Sequence, residues 1–170
     1  MKINIEPIRK KEAVNVIEFD YEIEESVRGE YLALLNAEQI NFIRINGSVS
    51  QKNGFPAIDY EINAAFEAGC ARCNKHAPQT VQAAGGKYLA DTADEKGDND
   101  EYYTLENPGM IDLREFMTEF LALEVPLRYL CAEDCKGLCQ ICGLDLNTGE
   151  CGCDKKQTNP AFKVLDDFFK

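Results

Sequence analysis

Tryptophan is absent from the sequence and histidine occurs once, at position 76. No Ser-His-Asp set can be placed around that single imidazole, and it reads as a surface or loop histidine, with a metal-ligand role near Cys73 as the alternative. Bases are also scarce. Eighteen Lys and Arg stand against 30 Asp and Glu, for a formal charge of -12 and a pI near 4.5. That balance speaks against a broad basic surface for naked nucleic acid and favours attraction to basic partners. Few aromatic residues interleave with basic ones, so a stacking platform for RNA has weak support. No apolar run approaches the roughly 18 residues of a membrane span. The opening MKINIEPIRKKEAVNVIEFD has no unbroken apolar stretch and no small-residue cleavage site, so no signal peptide is read there and the expected compartment is the cytoplasm. Gly85-Gly86 lacks the spacing and the ending of a phosphate loop.

What is present is an ordinary core-forming composition, 45% apolar in 170 residues, and eight cysteines. That is one domain, or one domain with a small appendage. In a reducing compartment eight thiols point to metal or redox chemistry rather than to four disulfides.

The first half reads mostly as strands. Ile3, Ile5 and Ile8 suggest a short extended run over 1–8, and residues 14–23 are rich in β-branched and aromatic side chains. A strand over 40–49 leads to Asn53-Gly54, a hairpin signal. Residues 58–68 alternate cleanly. Ile58, Tyr60, Ile62, Ala64, Phe66 and Ala68 share one face, as in a half-buried strand. Another strand is expected over 80–90, which leaves Cys70-Ala71-Arg72-Cys73 at a hairpin tip. Residues 91–106 hold seven acids and one lysine and read as a solvated, mobile loop; an acidic arm for a basic protein is the sharper alternative. A helix follows over 112–124. Asp112 and Glu115 have capping-box spacing, Leu113, Phe116, Met117, Phe120 and Leu121 recur on one face, and Pro126 stops it. Asn159-Pro160 then opens a short amphipathic helix through Phe162, Leu165, Phe168 and Phe169.

Between Cys131 and Cys153 lie six cysteines in 23 residues, with only Leu138, Ile141, Leu144 and Leu146 as large apolar side chains. Such a segment is not expected to fold by burying a core of its own, so something else must hold it. Cys139-Gln140-Ile141-Cys142-Gly143 is a zinc-knuckle sequence, its glycine free to take positive φ. Cys151-Gly152-Cys153 can reach the same ion. Cys70 and Cys73 have the knuckle spacing without the glycine, and Cys131 and Cys135 are within known ligand spacings. The simplest division is two tetrahedral sites: Cys139, Cys142, Cys151 and Cys153 in one; Cys70, Cys73, Cys131 and Cys135 in the other. The second set is found by counting what remains, so exchange of partners between sites stays open. Four soft sulfurs without histidine suit zinc, two ions in all, with an iron–sulfur cluster as the alternative. Eight thiolate charges against four positive ones leave the filled protein near -16. A closed four-cysteine site has no open position for substrate and is structural by default. Dithiol redox chemistry is disfavoured, because residues 74–78 do not begin a convincing helix after Cys73.

Taken together, Cys70-Ala71-Arg72-Cys73, the acidic loop, Ile111-Asp112-Leu113 opening a helix that closes at Val125-Pro126-Leu127, the block from Leu130 through Cys135-Lys136-Gly137-Leu138-Cys139 to Cys142-Gly143-Leu144-Asp145-Leu146-Asn147, and Asn159-Pro160-Ala161-Phe162 resemble the YceD family. These are the large ribosomal RNA subunit accumulation proteins, here in the Gram-positive-like form with a C-terminal cysteine cluster. The resemblance spans essentially the whole chain and is most specific in the cysteine block. It implies a bacterial cytosolic factor for accumulation or processing of large-subunit ribosomal RNA, often encoded beside a small zinc-ribbon ribosomal protein. Asn159 stands where the family often has aspartate, and Ala161 where arginine is frequent.

The expected fold is α+β. An antiparallel sheet or partly closed barrel packs on the helix within a body at 1–130, followed by a metal-stabilised cysteine-rich segment and short helix at 131–170. The expected function is non-enzymatic: support of ribosome biogenesis by binding a basic ribosomal protein or a large-subunit precursor particle, without a membrane. Direct contact with ribosomal RNA is the alternative. It would run through Arg72 and the basic runs Arg9-Lys10-Lys11 and Lys155-Lys156. A thiol-redox or metal-handling protein is the third reading.

Overall fold

A computed structural model describes residues 1–10, 16–91 and 101–153. Its centre is a five-stranded sheet in the order β2-β3-β4-β5-β6. The strands are β2 (Val16–Glu22), β3 (Gln39–Lys52), β4 (Phe55–Gly69), β5 (His76–Ala90) and β6 (Tyr102–Thr104). The first four form an antiparallel meander, and β6 adds in parallel to β5. The long central strands curl into a half-barrel, and a register shift between Ile40 and Phe42 breaks the β3–β4 ladder near one end. A second, two-stranded sheet pairs β1 (Lys2–Asn4) with β7 (Met110–Asp112).

Strand β4 shows why the curl has an inside. Ile58, Ile62, Ala64, Phe66 and Ala68 are buried, with Tyr60 at the edge of the core, while Glu61 stays exposed. The β3–β4 hairpin turns at Asn53 and Gly54, both at positive φ (52° and 88°), which matches a turn whose twist suits the flanking strands. At Gly47 a side chain has no room. A Cβ there would sit 2.0 Å from the Asp59 carbonyl oxygen and 2.9 Å from the Phe19 ring.

Helix α3 (Leu113–Glu124) closes the core. The Asp112 carboxylate accepts from the Arg114 N–H at 3.0 Å and caps its start. Val125 is extended (ψ 118°), as a residue before proline prefers, and the helix ends there. Its buried face carries Leu113, Phe116, Met117, Phe120 and Leu121. The Phe116 ring meets Tyr60 and Tyr103 edge-on, each at 4.9 Å between centroids, and Phe120 at 4.5 Å. Such ring pairs add about 0.5–1.5 kcal/mol each beyond area burial. The expected α+β fold, an antiparallel sheet or partly closed barrel with a packed helix and a C-terminal cysteine segment, is observed as a curled half-barrel whose last strand adds in parallel.

Three local expectations change. Residues 1–8 are not one extended run. β1 gives way at Ile5 to a helical turn, α1 (Glu6–Arg9), with Pro7 in its first turn. A further helix, α2 (Arg28–Leu35), interrupts the strand-rich half, buries Tyr31 and Leu35, and stops at Asn36 in the left-handed conformation. The acidic segment is not wholly a solvated loop. Tyr102–Thr104 is a strand, and Tyr103 and Leu105, two apart, both face the core. The rest of that segment, 92–100, lies outside the described residues, as do the helix read over 159–170, Lys11 and the pair Lys155-Lys156.

Candidate metal centres

The tip between β4 and β5 and the segment after α3 carry the chemistry. Leaving β4, the chain makes a tight knuckle. Cys70 N–H donates to the Lys75 carbonyl at 2.9 Å, and Asn74 N–H donates to the Cys70 carbonyl at 2.8 Å. Further along, Cys139 N–H donates to the Leu144 carbonyl at 2.8 Å, and Gly143 N–H donates to the Cys139 carbonyl at 2.8 Å. The two turns are therefore built alike. The position after the second cysteine has positive φ in both, 57° at Asn74 and 74° at Gly143. Asparagine tolerates that conformation better than most residues, so it stands in for the missing glycine.

Around these knuckles the eight thiols form two groups. Cys70, Cys73, Cys131 and Cys135 have their sulfurs all within 4.8 Å of one another, and so do Cys139, Cys142, Cys151 and Cys153. We call these the knuckle site and the ribbon site. Individual separations include 3.8 Å for Cys70–Cys135, 3.6 Å for Cys73–Cys131 and 3.4 Å for Cys139–Cys151. A disulfide would bring sulfurs to about 2.05 Å, and all eight cysteines are free. A tetrahedral ion with metal–sulfur bonds of about 2.3 Å sets its ligands about 3.8 Å apart. The donor set and spacing thus suit a single ion in each group. A four-iron cluster has to sit between its cysteines and would spread them wider.

Electrostatics within the groups point the same way. Burial opposes ionisation of Cys70, but N–H groups of Cys131, Arg72 and Cys73 outweigh it and bring the thiol to about 6. N–H groups of Cys142 and Ile141 do the same for Cys139, also to about 6. Neighbouring sulfurs, first Cys135 and then Cys73, push Cys131 up to about 12. Cys142 pushes Cys153 to about 12 likewise. Each group thus holds one readily formed thiolate beside neighbours that resist ionising, Cys73 and Cys131 in the first and Cys153 in the second. A divalent cation is what would let all four ionise together.

The segment is fastened to the body by side chains that the sequence reading did not single out for this task. The Arg72 guanidinium donates to the carbonyls of Cys135 (2.7 Å) and Glu133 (3.2 Å). Leu138 N–H donates to the Arg72 carbonyl at 3.1 Å. Gly137, at φ 76°, lets that approach happen, since a Cβ there would lie 2.9 Å from the Arg72 oxygen. Lys75 pairs with Asp145 at 2.6 Å. Asn147 reaches the Cys135 sulfur at 3.4 Å. The cluster of turn-forming residues around Asp145 and Asn147 was the only signal in the sequence that this stretch carries fixed side-chain geometry. His76 is apart from both groups, its Nδ1 2.6 Å from the Glu38 carboxylate.

Among the described residues, two of the basic groups offered for RNA contact lie in ion pairs. Arg9 pairs with Asp91 and Glu6, and Lys10 with Glu6 at 3.1 Å. Among the described residues no helix is long and apolar enough to cross a membrane.

A curled sheet closed by one helix, with two sets of four convergent thiols at its end, defines a class of β-rich protein whose terminal segment metal ions could order. Comparison with known proteins makes the assignment specific. The family model described as Large ribosomal RNA subunit accumulation protein YceD matches residues 58–169, and the chain belongs to that family. It is 27% identical over 141 residues to the Large ribosomal RNA subunit accumulation protein YCED homolog 1, chloroplastic, of Zea mays, covering 65% of this chain and 48% of the maize protein. The protein of the same name from Arabidopsis thaliana is 29% identical over 55 residues, 32% of this chain and 17% of its own length. The chain therefore spans about half the length, or less, of these curated relatives. No solved structure matches.

Proposed function

We propose that this protein is a non-enzymatic factor for accumulation of large-subunit ribosomal RNA in the cytoplasm, and that it acts by holding a basic ribosomal protein or a precursor particle. Two zinc ions, one bound by Cys70, Cys73, Cys131 and Cys135 and one by Cys139, Cys142, Cys151 and Cys153, order residues 131–153 into a firm surface. Residues 131–170 then form a cysteine-rich unit on a body at 1–130. The observation that carries this reading is the pair of closed four-thiol groups in a chain of the YceD family. Four sulfurs around one ion leave no position for a substrate, so the metal's task is to shape a surface.

Charge supports a protein partner over bare RNA. The chain is at -12 before its thiols ionise. Glu18 and Glu22 line the exposed side of the edge strand β2. Arg9, Lys10 and Arg72 have internal partners. The ribbon also leaves Leu138, Ile141 and Leu144 exposed, the apolar contacts a protein interface uses.

A tagged pull-down from native cells, with and without nuclease and read by mass spectrometry, tests this. The expected result is a basic large-subunit protein retained after nuclease. Ribosomal proteins seen only with intact RNA would overturn the protein-binding reading and favour direct RNA contact.

A further inference from the structure

The two thiol groups are joined by one carboxamide. Asn147 lies in the loop between Cys142 and Cys151, so its position is fixed when the ribbon site is closed. Its side chain points at the other site. Nδ2 donates to the Cys135 sulfur at 3.4 Å and to the Asp145 carboxylate at 2.7 Å, and Oδ1 accepts from the Lys136 N–H at 2.8 Å. These contacts use both donors and the acceptor of the amide. They also fix its orientation. A flipped amide would set its oxygen against a carboxylate and a ligand sulfur, and its NH2 against an N–H donor. The loop is held at a second point on the knuckle site, where Asp145 meets Lys75, two residues past Cys73.

The loop has little else to hold it. Leu144 is exposed and Leu146 is half-buried. Its ordering costs about 1–2 kcal/mol of backbone entropy per residue, and what opposes that cost is the closing of the ribbon site and a few backbone bonds, such as Leu146 N–H to the Gly137 carbonyl at 2.9 Å.

We propose that Asn147 is a positioning residue for the knuckle site, delivered by the loop that the ribbon site closes, and that the two sites therefore fill cooperatively. The inference rests on the metal reading given above. An N–H donated to a ligand sulfur stabilises it as thiolate and holds its direction; partners of this kind typically change metal affinity about 10–100-fold when removed. Coupling runs both ways, since a ligand that aids a second is aided by it equally.

The test follows zinc release from the full, zinc-loaded chain to a chromophoric chelator. Asn147→Asp is the decisive variant. It keeps an oxygen to accept from Lys136 N–H and nearly the same shape, but removes the donor to Cys135. One of the two ions should leave about tenfold faster than in the wild type, and one of two cadmium-113 resonances of the cadmium-loaded chain should move. Asn147→Ala should behave alike. Release from Asn147→Asp at the wild-type rate, with Asn147→Ala alone affected, would show that the residue only packs and would overturn the positioning role. Cys153→Ser should cost the ribbon ion and speed release of the one that remains; a remaining ion as slow as in the wild type would overturn the coupling. A wild-type chain that binds no ion would instead overturn the metal reading itself, a result the stoichiometry shows before any variant is compared.

Discussion

Asn74 holds a backbone conformation that most side chains avoid, at the point where the first knuckle must turn back on itself. A sequence search for the Cys-x-x-Cys-Gly pattern finds the second knuckle and undervalues the first, because the turn needs positive φ and not glycine as such. Asn74→Gly should therefore leave thermal stability nearly unchanged. Asn74→Val should cost about 1–2 kcal/mol and loosen the Cys70 set, as read by thermal unfolding and by alkylation of Cys73 under native conditions. The Lys75–Asp145 pair has a pH signature. Lys75, with help from the Asn147 N–H, holds the Asp145 carboxyl below the ordinary aspartate range. A carboxyl lowered in the folded state stabilises fully above its unfolded pKa and loses that contribution as pH falls through the folded one. Asp145→Asn should thus weaken attachment of the 131–153 segment at neutral pH and make no difference at strongly acidic pH; limited proteolysis across a pH series reads this directly.

At the scale of elements, α3 is the closure of the core and its two ends were plain in the sequence. Asp112→Ala should cost about 1 kcal/mol through the lost cap. Phe116→Ala should cost about 3–5 kcal/mol, because it empties a fully buried position facing Tyr60, Tyr103 and Phe120. Denaturant unfolding separates the two. The helix and β4 were legible because a long element repeats its period many times: six inward positions on β4, five on α3. Short elements give no such repetition. α2 spans eight residues and buries only Tyr31 and Leu35, one turn apart. α1 is one turn in which an isoleucine-rich run imitates a strand. β6 was hidden by its neighbours, since averaging over an acidic segment concealed that Tyr103 and Leu105 alternate toward the core. The cysteine grouping was readable by local spacing for the ribbon site. For the knuckle site it was readable only by elimination, because sequence distance does not say that 70–73 and 131–135 meet. For the polar contacts among Arg72, Lys75, Asp145 and Asn147, the turn-forming residues at 145–147 hinted at fixed local geometry, but the partners were not readable. Each depends on where the two segments cross in space.

In the molecule as a whole, a sheet with its own core stands apart from a ribbon that, on the proposed reading, depends on metal. Among the described residues the main buried cluster runs from Ile3 to Tyr129. Beyond it, Cys70, Cys73 and Cys135 make a small cluster with Leu130 packed against it. Cys139→Ser should therefore make residues 131–153 sensitive to protease while the far-ultraviolet signature of the sheet persists. Equal resistance in variant and wild type would contradict this division. The most direct measurement is native mass spectrometry of the full chain, purified without added metal, together with its elemental content. Two zinc ions per chain and no hydrogens lost to disulfides are expected. A bare chain, or one lighter by pairs of hydrogens, would contradict this reading: the eight thiols would then be redox groups, and the ribbon's order would need another cause.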